Sequence, residues 1–406
     1  MKEYKVNAKY DAMIETLSRA FAVPETDVKN AVIRARVTDN EEANVRLCNV
    51  FCKAARGEAI TIAGIGGSIT EGAHAVTWEN VGNNAQAFTE ELGGEKCWFQ
   101  RVTEWFEQQF PSTQVKGINA GIGATPSFLG TFRLDQMVLQ HKPDLVTVEF
   151  SVNDPSAIPY LLKDEILESY ESIIRRLLDA GIAVIQVFLV QQDGTSMQNV
   201  HREIACHYNV PGISYHDAIY PDGKLICDWV KLSPDDIHPN NAGHALLGIC
   251  VSNYLDSVLE TTDLTANYNA DVLQADRMYP DTFENVYAEY AYQFKNRAQG
   301  FVFNENIPTI SGKWQGQLVS EDCEGTVKLT VPKGAKRVFV QYFNAKGSFE
   351  TSFLGQKASC NTAPLGWSKA LWHRVYTGSA IGEDAEITIK THPNGKVILQ
   401  GLLVAF

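Results

Sequence analysis

The sequence is short of positive charge, of long apolar runs and of any ordered cysteine pattern. Lys and Arg total 35 against 48 Asp and Glu, a formal net charge of −13 over 406 residues. A negative field of that kind repels phosphate backbones and anionic membrane surfaces. No dense Lys/Arg run offsets it locally, so neither nucleic acid nor a membrane is expected as a partner. No apolar run approaches the roughly 18 to 20 residues of a membrane span. The best run, Ile182 to Val190, is broken by Gln186 and has strand length. Met1-Lys2-Glu3-Tyr4 leads into mixed polar sequence without the apolar core and cleavage site of a secretory signal, so a cytoplasmic location is expected. The eight cysteines, Cys48, Cys52, Cys97, Cys206, Cys227, Cys250, Cys323 and Cys360, are scattered. Disulfide frameworks belong to short secreted chains, and these thiols read as free. Cys48 and Cys52 lack a second Cys/His pair, so no zinc site is expected.

What remains is an ordinary globular balance, 45% hydrophobic and 20% charged. The length suits about two to three domains. Residues 1–57 read as a polar helical extension, with Val45, Leu47, Val50, Phe51 and Ala54 at helical spacing and Gly57 as a stop. From 58 to 260, short apolar runs alternate with amphipathic helices. The strands are Ile60 to Ile65, Gln114 to Asn119, Leu145 to Phe150, Ile182 to Val190 and Gly212 to Tyr215. The helices are Cys97 to Phe110, Phe128 to Gln140, Lys163 to Ala180, Ser196 to Tyr208 and Ala242 to Leu259. This alternation implies an α/β domain whose parallel sheet is covered by helices on both faces. Its ligand site should lie beyond the carboxyl ends of the strands. Residues 261–300 read as a polar connector, with one helix near Asp281 to Arg297. From 301 to 406, alternating strands punctuated by Pro332-Lys333-Gly334 and Pro393-Asn394-Gly395 predict a C-terminal all-β sandwich.

Four of the strand ends or loops carry chemistry. Gly64-Ile65-Gly66-Gly67-Ser68-Ile69-Thr70 ends a strand in glycines and a serine. It lacks the Gly-Lys-Ser/Thr ending of a phosphate loop, and Ile69 stands where a dinucleotide fingerprint needs glycine. A nucleophilic Ser68 and a plain glycine-rich turn both fit. Asp235-Asp236-Ile237-His238 places a carboxylate three residues before an imidazole in a loop stiffened by Pro234 and Pro239. That pair suits serine-histidine-acid chemistry, or else a solvated loop ahead of a helix. His244, inside that helix, reads as a packing or surface histidine. Asn153, in Val152-Asn153-Asp154-Pro155, offers an amide to a developing oxyanion, or an Asx-turn. Gly121 and Gly123 end another strand; Gly121 suits the turn and Gly123 an exposed N–H donor.

In this order, Ser68, Gly123, Asn153 and Asp235 with His238 resemble the four blocks of the SGNH (GDSL-type) hydrolase superfamily. The resemblance covers residues 58–258 and is most specific in the final Asp-x-x-His block. An α/β-hydrolase elbow would need glycine where Thr70 stands. The resemblance implies a three-layer, flavodoxin-like parallel sheet. It implies a Ser68–His238–Asp235 triad and an oxyanion hole of the Ser68 N–H, the Gly123 N–H and the Asn153 amide. It implies no metal or organic cofactor. The family's usual block has Asp before the serine, where this chain has Gly67. That aspartate is not the catalytic acid, so the expected consequence is an altered loop and pocket shape.

A hydrolase domain followed by a β-sandwich is similar to some two-domain bacterial carbohydrate acetylesterases. The expected substrate is therefore an acylated, most simply acetylated, carbohydrate. Glu71, His74 and Trp78, just after Ser68, are the candidate substrate contacts. Trp314, Trp367, Trp372 and Tyr376 are candidates for sugar stacking, with core packing the stronger reading. The alternatives are a lipid, thioester or aryl-ester hydrolase, or a carbohydrate-binding protein that has lost activity. A homo-oligomer is left open.

Overall fold

The computed structural model describes residues 4–38, 41–75, 88–269, 275–307, 311–364 and 369–406. The chain divides into two units: Met1–Gly130 with Leu134–Tyr279, and Thr131–Arg133 with Pro280–Phe406.

The first unit begins with α1 (Asp11–Phe21), α2 (Glu25–Arg34), the short β1 (Arg36–Thr38) and α3 (Glu41–Ala55). In α1, Ile14, Leu17 and Phe21 recur at helical spacing and are buried. The helix stops at Ala22, which takes the left-handed conformation at φ 54°. Then come β2 (Ile60–Gly66), α4 (Ser68–Glu71), α5 (Trp98–Gln109), β3 (Val115–Gly121), α6 (Ser127–Met137), β4 (Leu145–Glu149), α7 (Lys163–Asp179), β5 (Ala183–Phe188), α8 (Gln198–His207) and β6 (Gly212–Ser214). Two short helices, α9 (Tyr215–Ile219) and α10 (Trp229–Leu232), precede the long α11 (Asn241–Leu259).

Strands β2 to β6 are parallel, in the order β6-β5-β4-β2-β3. The chain direction across the sheet reverses between β2 and β4. That is the crevice where doubly wound sheets hold their ligands. Side chains alternate between two cores. Ile60, Ile62, Leu145, Ile185, Val187 and Ile213 face α1, α2, α3, α5 and α11. Ala63, Ile65, Val146, Val148 and Val184 face α6, α7 and α8. Burial on both faces explains the continuous apolar strands.

The N-terminal extension is part of this domain. β1 pairs antiparallel with β6, closing an edge that would otherwise expose unpaired backbone groups. Phe51 of α3 is fully buried against Trp105, Phe106 and Phe110, with ring centroids 5.8–6.0 Å apart. Residues 261–269 run back over α3: Tyr268 exchanges hydrogen bonds with Asn49.

The second unit holds two antiparallel sheets. β7 (Val286–Tyr290), α12 (Ala291–Phe294), β8 (Ala298–Gln299), β9 (Val302–Asn304) and β10 (Gln317–Glu321) lead into β11 (Thr326–Val331), β12 (Arg337–Phe343), β13 (Gly347–Phe353), β14 (Gln356–Thr362), β15 (Ala370–Thr377), β16 (Ala385–Thr391) and β17 (Lys396–Ala405). One sheet runs β15-β12-β17-β10-β9, with β7 also on β17; the other runs β14-β13-β16-β11-β8. Val327, Leu329, Val340, Phe349, Ile387 and Leu402 belong to their shared core.

The helix expected over 281–297 is corrected here. Val286–Tyr290 is a strand on Gly401–Ala405, and only Ala291–Phe294 is α-helical. Val286, Tyr287 and Tyr290 favour a pleated surface, and Ala288 and Tyr290 turn inward. Residues 280–300 thus supply strands to the second unit and do not form a connector. Trp314 and Trp372 are buried, as packing residues are; Trp367 lies outside the described residues.

If the N-terminal segment is core, Phe51→Ala should destabilise the first unit by about 3–5 kcal/mol. Urea denaturation followed by Trp fluorescence measures this; a change below about 1 kcal/mol contradicts the packing described.

Candidate active site

Ser68 opens α4 immediately beyond β2, with Gly67 as the extended residue before it. It is 5% exposed. Its Oγ lies 2.8 Å from His238 Nε2. On the other side of that ring, Nδ1 lies 2.7 Å from Asp235 Oδ2. A carboxylate only accepts, so Nδ1 carries the proton and Nε2 is left as the acceptor facing Ser68.

The loop holding the pair is tied to itself. Asp235 Oδ1 accepts from the Ile237 and His238 amides at 2.8 and 2.7 Å. Ser233 Oγ lies 2.6 Å from the carbonyl oxygens of both Asp235 and His238. Trp229 Nε1 donates to the Asp235 carbonyl at 2.6 Å. Asn240 then caps α11 by accepting from Gly243 N. Burial works to raise the Asp235 carboxyl, but hydrogen bonds from His238 and His74 outweigh it. The acid is held well below the usual carboxylate range and stays ionised.

Asn153 follows β4, next to β2 in the sheet. Its side-chain amide lies directly on Gly67: a Cβ there would sit 2.0 Å from Asn153 Oδ1. That oxygen is buried with no hydrogen-bond partner among the described residues. Asp154 does structural work instead. It accepts from Ser127 N at 2.7 Å and stands 3.0 Å from the buried His201.

Gly123 faces the serine, with its added Cβ 3.6 Å from Ser68 Cβ. Its N–H donates to Glu71 Oε2 at 2.7 Å. Gly121 is a packing glycine, because a Cβ there would come within 2.3 Å of Glu71 N. Two of the expected substrate contacts are therefore turned onto the site itself. Glu71 binds Gly123, and His74 Nε2 lies 3.1 Å from Asp235 Oδ2. Trp78 lies outside the described residues.

One residue was missed by sequence reasoning. Glu149, fully buried at the end of β4, accepts from Thr70 Oγ1 at 3.0 Å and Gly67 N at 3.3 Å, bracing the serine turn. A carboxylate ending an otherwise apolar strand was its signal. Buried His244 donates to the Ala73 carbonyl from Nε2 at 3.0 Å and accepts from Trp98 N at 3.3 Å. His74, Asp235 and His238 also bring three metal-ligating atoms together. Both imidazoles instead stand at hydrogen-bonding distance from Asp235 Oδ2, and a metal on His238 Nδ1 would displace the proton that it donates there. A cavity of about 690 Å³ lined by Arg46, Lys53, Asp144 and Ile182 contains none of the site residues. It lies by the amino ends of β4 and β5, the wrong end of such a sheet for ligand chemistry.

Residues 65–246 match the model of the GDSL-like lipase/acylhydrolase family. The first unit is a GDSL-type ester hydrolase domain. Two solved structures are similar over both units, each of a two-domain esterase (CEX) active on acetylated mannans. The one co-crystallised with mannopentaose matches at 23% identity and TM-score 0.72, covering 92% of this chain and 97% of its own. The other matches at 24% identity and TM-score 0.71, covering 92% and 98%. At those identities the likeness is one of fold.

Within the GDSL-type domain, Gly67 has a geometric reason. The Asn153 amide fills the space a side chain would take. If the Asn153 amide is the oxyanion donor expected of it, Gly67→Ala should push that amide aside and lower kcat on an aryl acetate about 100-fold, the usual loss for one such donor. An unchanged kcat in a folded variant contradicts this placement.

Proposed function

We propose that the protein is a serine esterase that removes acetyl groups from carbohydrate, most simply from acetylated manno-oligosaccharides. The observation that carries the reading is the unbroken chain from Ser68 Oγ through His238 to Asp235. Support for the substrate comes from the two-domain mannan esterases, whose likeness spans both units.

The chemistry follows from the geometry. His238 Nε2 takes the Ser68 proton as Oγ attacks the ester carbonyl. The carbonyl carbon becomes tetrahedral and its oxygen carries the charge. The Ser68 N–H, in the first turn of α4, has no intrahelical partner and donates to it. The Asn153 amide and the Gly123 N–H supply the other donors. Each is worth about 2.7–4 kcal/mol of barrier. Gly123 becomes available when Glu71 gives up its hydrogen bond. His238 returns the proton to the leaving sugar oxygen. Water, activated by the same imidazole, then releases acetate. Asp235 holds the ring and stabilises its imidazolium without taking the proton.

The test is mass spectrometry on acetylated manno- and xylo-oligosaccharides with wild type and Ser68→Ala. The reading predicts loss of acetyl mass with wild type alone. Acetyl loss that survives Ser68→Ala contradicts the nucleophile. Turnover of aryl acetates but of no acetylated sugar contradicts the substrate class.

A further inference from the structure

Asp235 Oδ2 is shared between two imidazoles. His238 Nδ1 stands 2.7 Å from it and His74 Nε2 stands 3.1 Å from it. The rings meet edge to face, with centroids 5.7 Å apart. A serine-histidine-acid triad needs only the first contact.

His74 reaches the acid at a conformational cost. After α4, Gly72 and His74 both take positive φ, 109° and 56°. The second is a conformation that residues other than glycine rarely adopt. The turn is held in place from outside. Gly72 N and Ala73 N both bond to the Ser68 carbonyl at 3.0 Å. His244 donates to the Ala73 carbonyl. Burial pushes the His244 pKa down to about 3, so the ring stays neutral and keeps that donor assignment. The sequence from Ser68 to His74 is therefore a closed loop that begins at the nucleophile and returns to the acid.

Two donors on one oxygen divide its charge. Without His74, Oδ2 would interact with His238 alone and stabilise the imidazolium more strongly. When His74 is itself protonated, its charge opposes a second positive charge on His238. Both effects act in the same direction.

Resting on the triad reading above, we propose that His74 is a positioning residue that shares Asp235 with His238 and sets how far into acid the esterase remains active. Among the described residues, the charged and titratable groups around it are Asp235 and His238 from the loop before α11, and His244 behind Ala73. Arg101 of α5 acts on His244, and Glu71 on the same turn is directed to Gly123.

The experiment is the pH profile of kcat/KM on a neutral aryl acetate for wild type, His74→Ala, His74→Gln and Ser68→Ala. In His74→Ala, the acid limb should move up by about one pH unit relative to its own plateau, a tenfold loss on the limb. His74→Gln keeps an N–H donor and cannot become charged, so its limb should fall between the other two. Limbs that coincide, or a limb that moves down in His74→Ala, overturn the proposal. So does a uniform loss at every pH in both variants, which marks a structural role. If His74→Ala does not fold, His74→Gln against wild type decides by the same displacement. Activity surviving in Ser68→Ala is a separate outcome: it removes the triad reading itself.

Discussion

Asp235 accepts from four N–H groups within one short loop and its neighbour: the Ile237 and His238 amides, His238 Nδ1 and His74 Nε2. The rest of the site depends on that carboxylate. Its charge fixes the tautomer of His238, and the tautomer leaves a bare nitrogen 2.8 Å from Ser68 Oγ. A three-residue spacing in an open loop would not ensure this. Here the Ser233 hydroxyl, the Trp229 indole and the cap of α11 leave the loop little freedom. Hydrogen bonds to a charged acceptor are about twice as strong as neutral ones, so the half-exposed acid is well held.

The sheet then brings the other parts to one place. β2 and β4 are neighbours across the reversal in strand order, and the chain beyond each carries a site residue, Ser68 and Asn153. Glycine does spatial work at both approaches. At Gly67 an amide lies where a Cβ would be; at Gly121 the backbone of α4 does. Glu149 and Asn119 join the pieces. Glu149 bridges from β4 to the serine turn, and Asn119 donates from β3 to the Thr70 carbonyl at 2.7 Å. These contacts are buried or partly buried, where an unpaired polar group is costly.

Much of this was legible in the sequence for physical reasons. Strands buried on both faces leave continuous apolar runs, and the five parallel strands fall within two residues of where those runs place them. Ser68, Asn153, Asp235 and His238 stand at strand ends or in a proline-stiffened loop, and short spacing exposes the last pair. Other features have no local signature. β1 is three residues long and exists because β6 needs a partner. β7 hides in a polar, tyrosine-rich stretch and takes its conformation from β17. Glu71 and His74 looked like substrate contacts because they follow the serine. Their partners, Gly123 and Asp235, lie 52 and 161 residues away, and no spacing argument reaches that far.

The most direct test of the central claim is to trap the covalent intermediate. Wild-type protein is mixed with an aryl acetate, quenched in acid within one turnover, digested and analysed by peptide mass spectrometry. The account predicts one acetyl group, on Ser68, and none when His238 is replaced by Ala. Acetyl on any other residue, or rapid turnover with no acetylated peptide under single-turnover conditions, contradicts it.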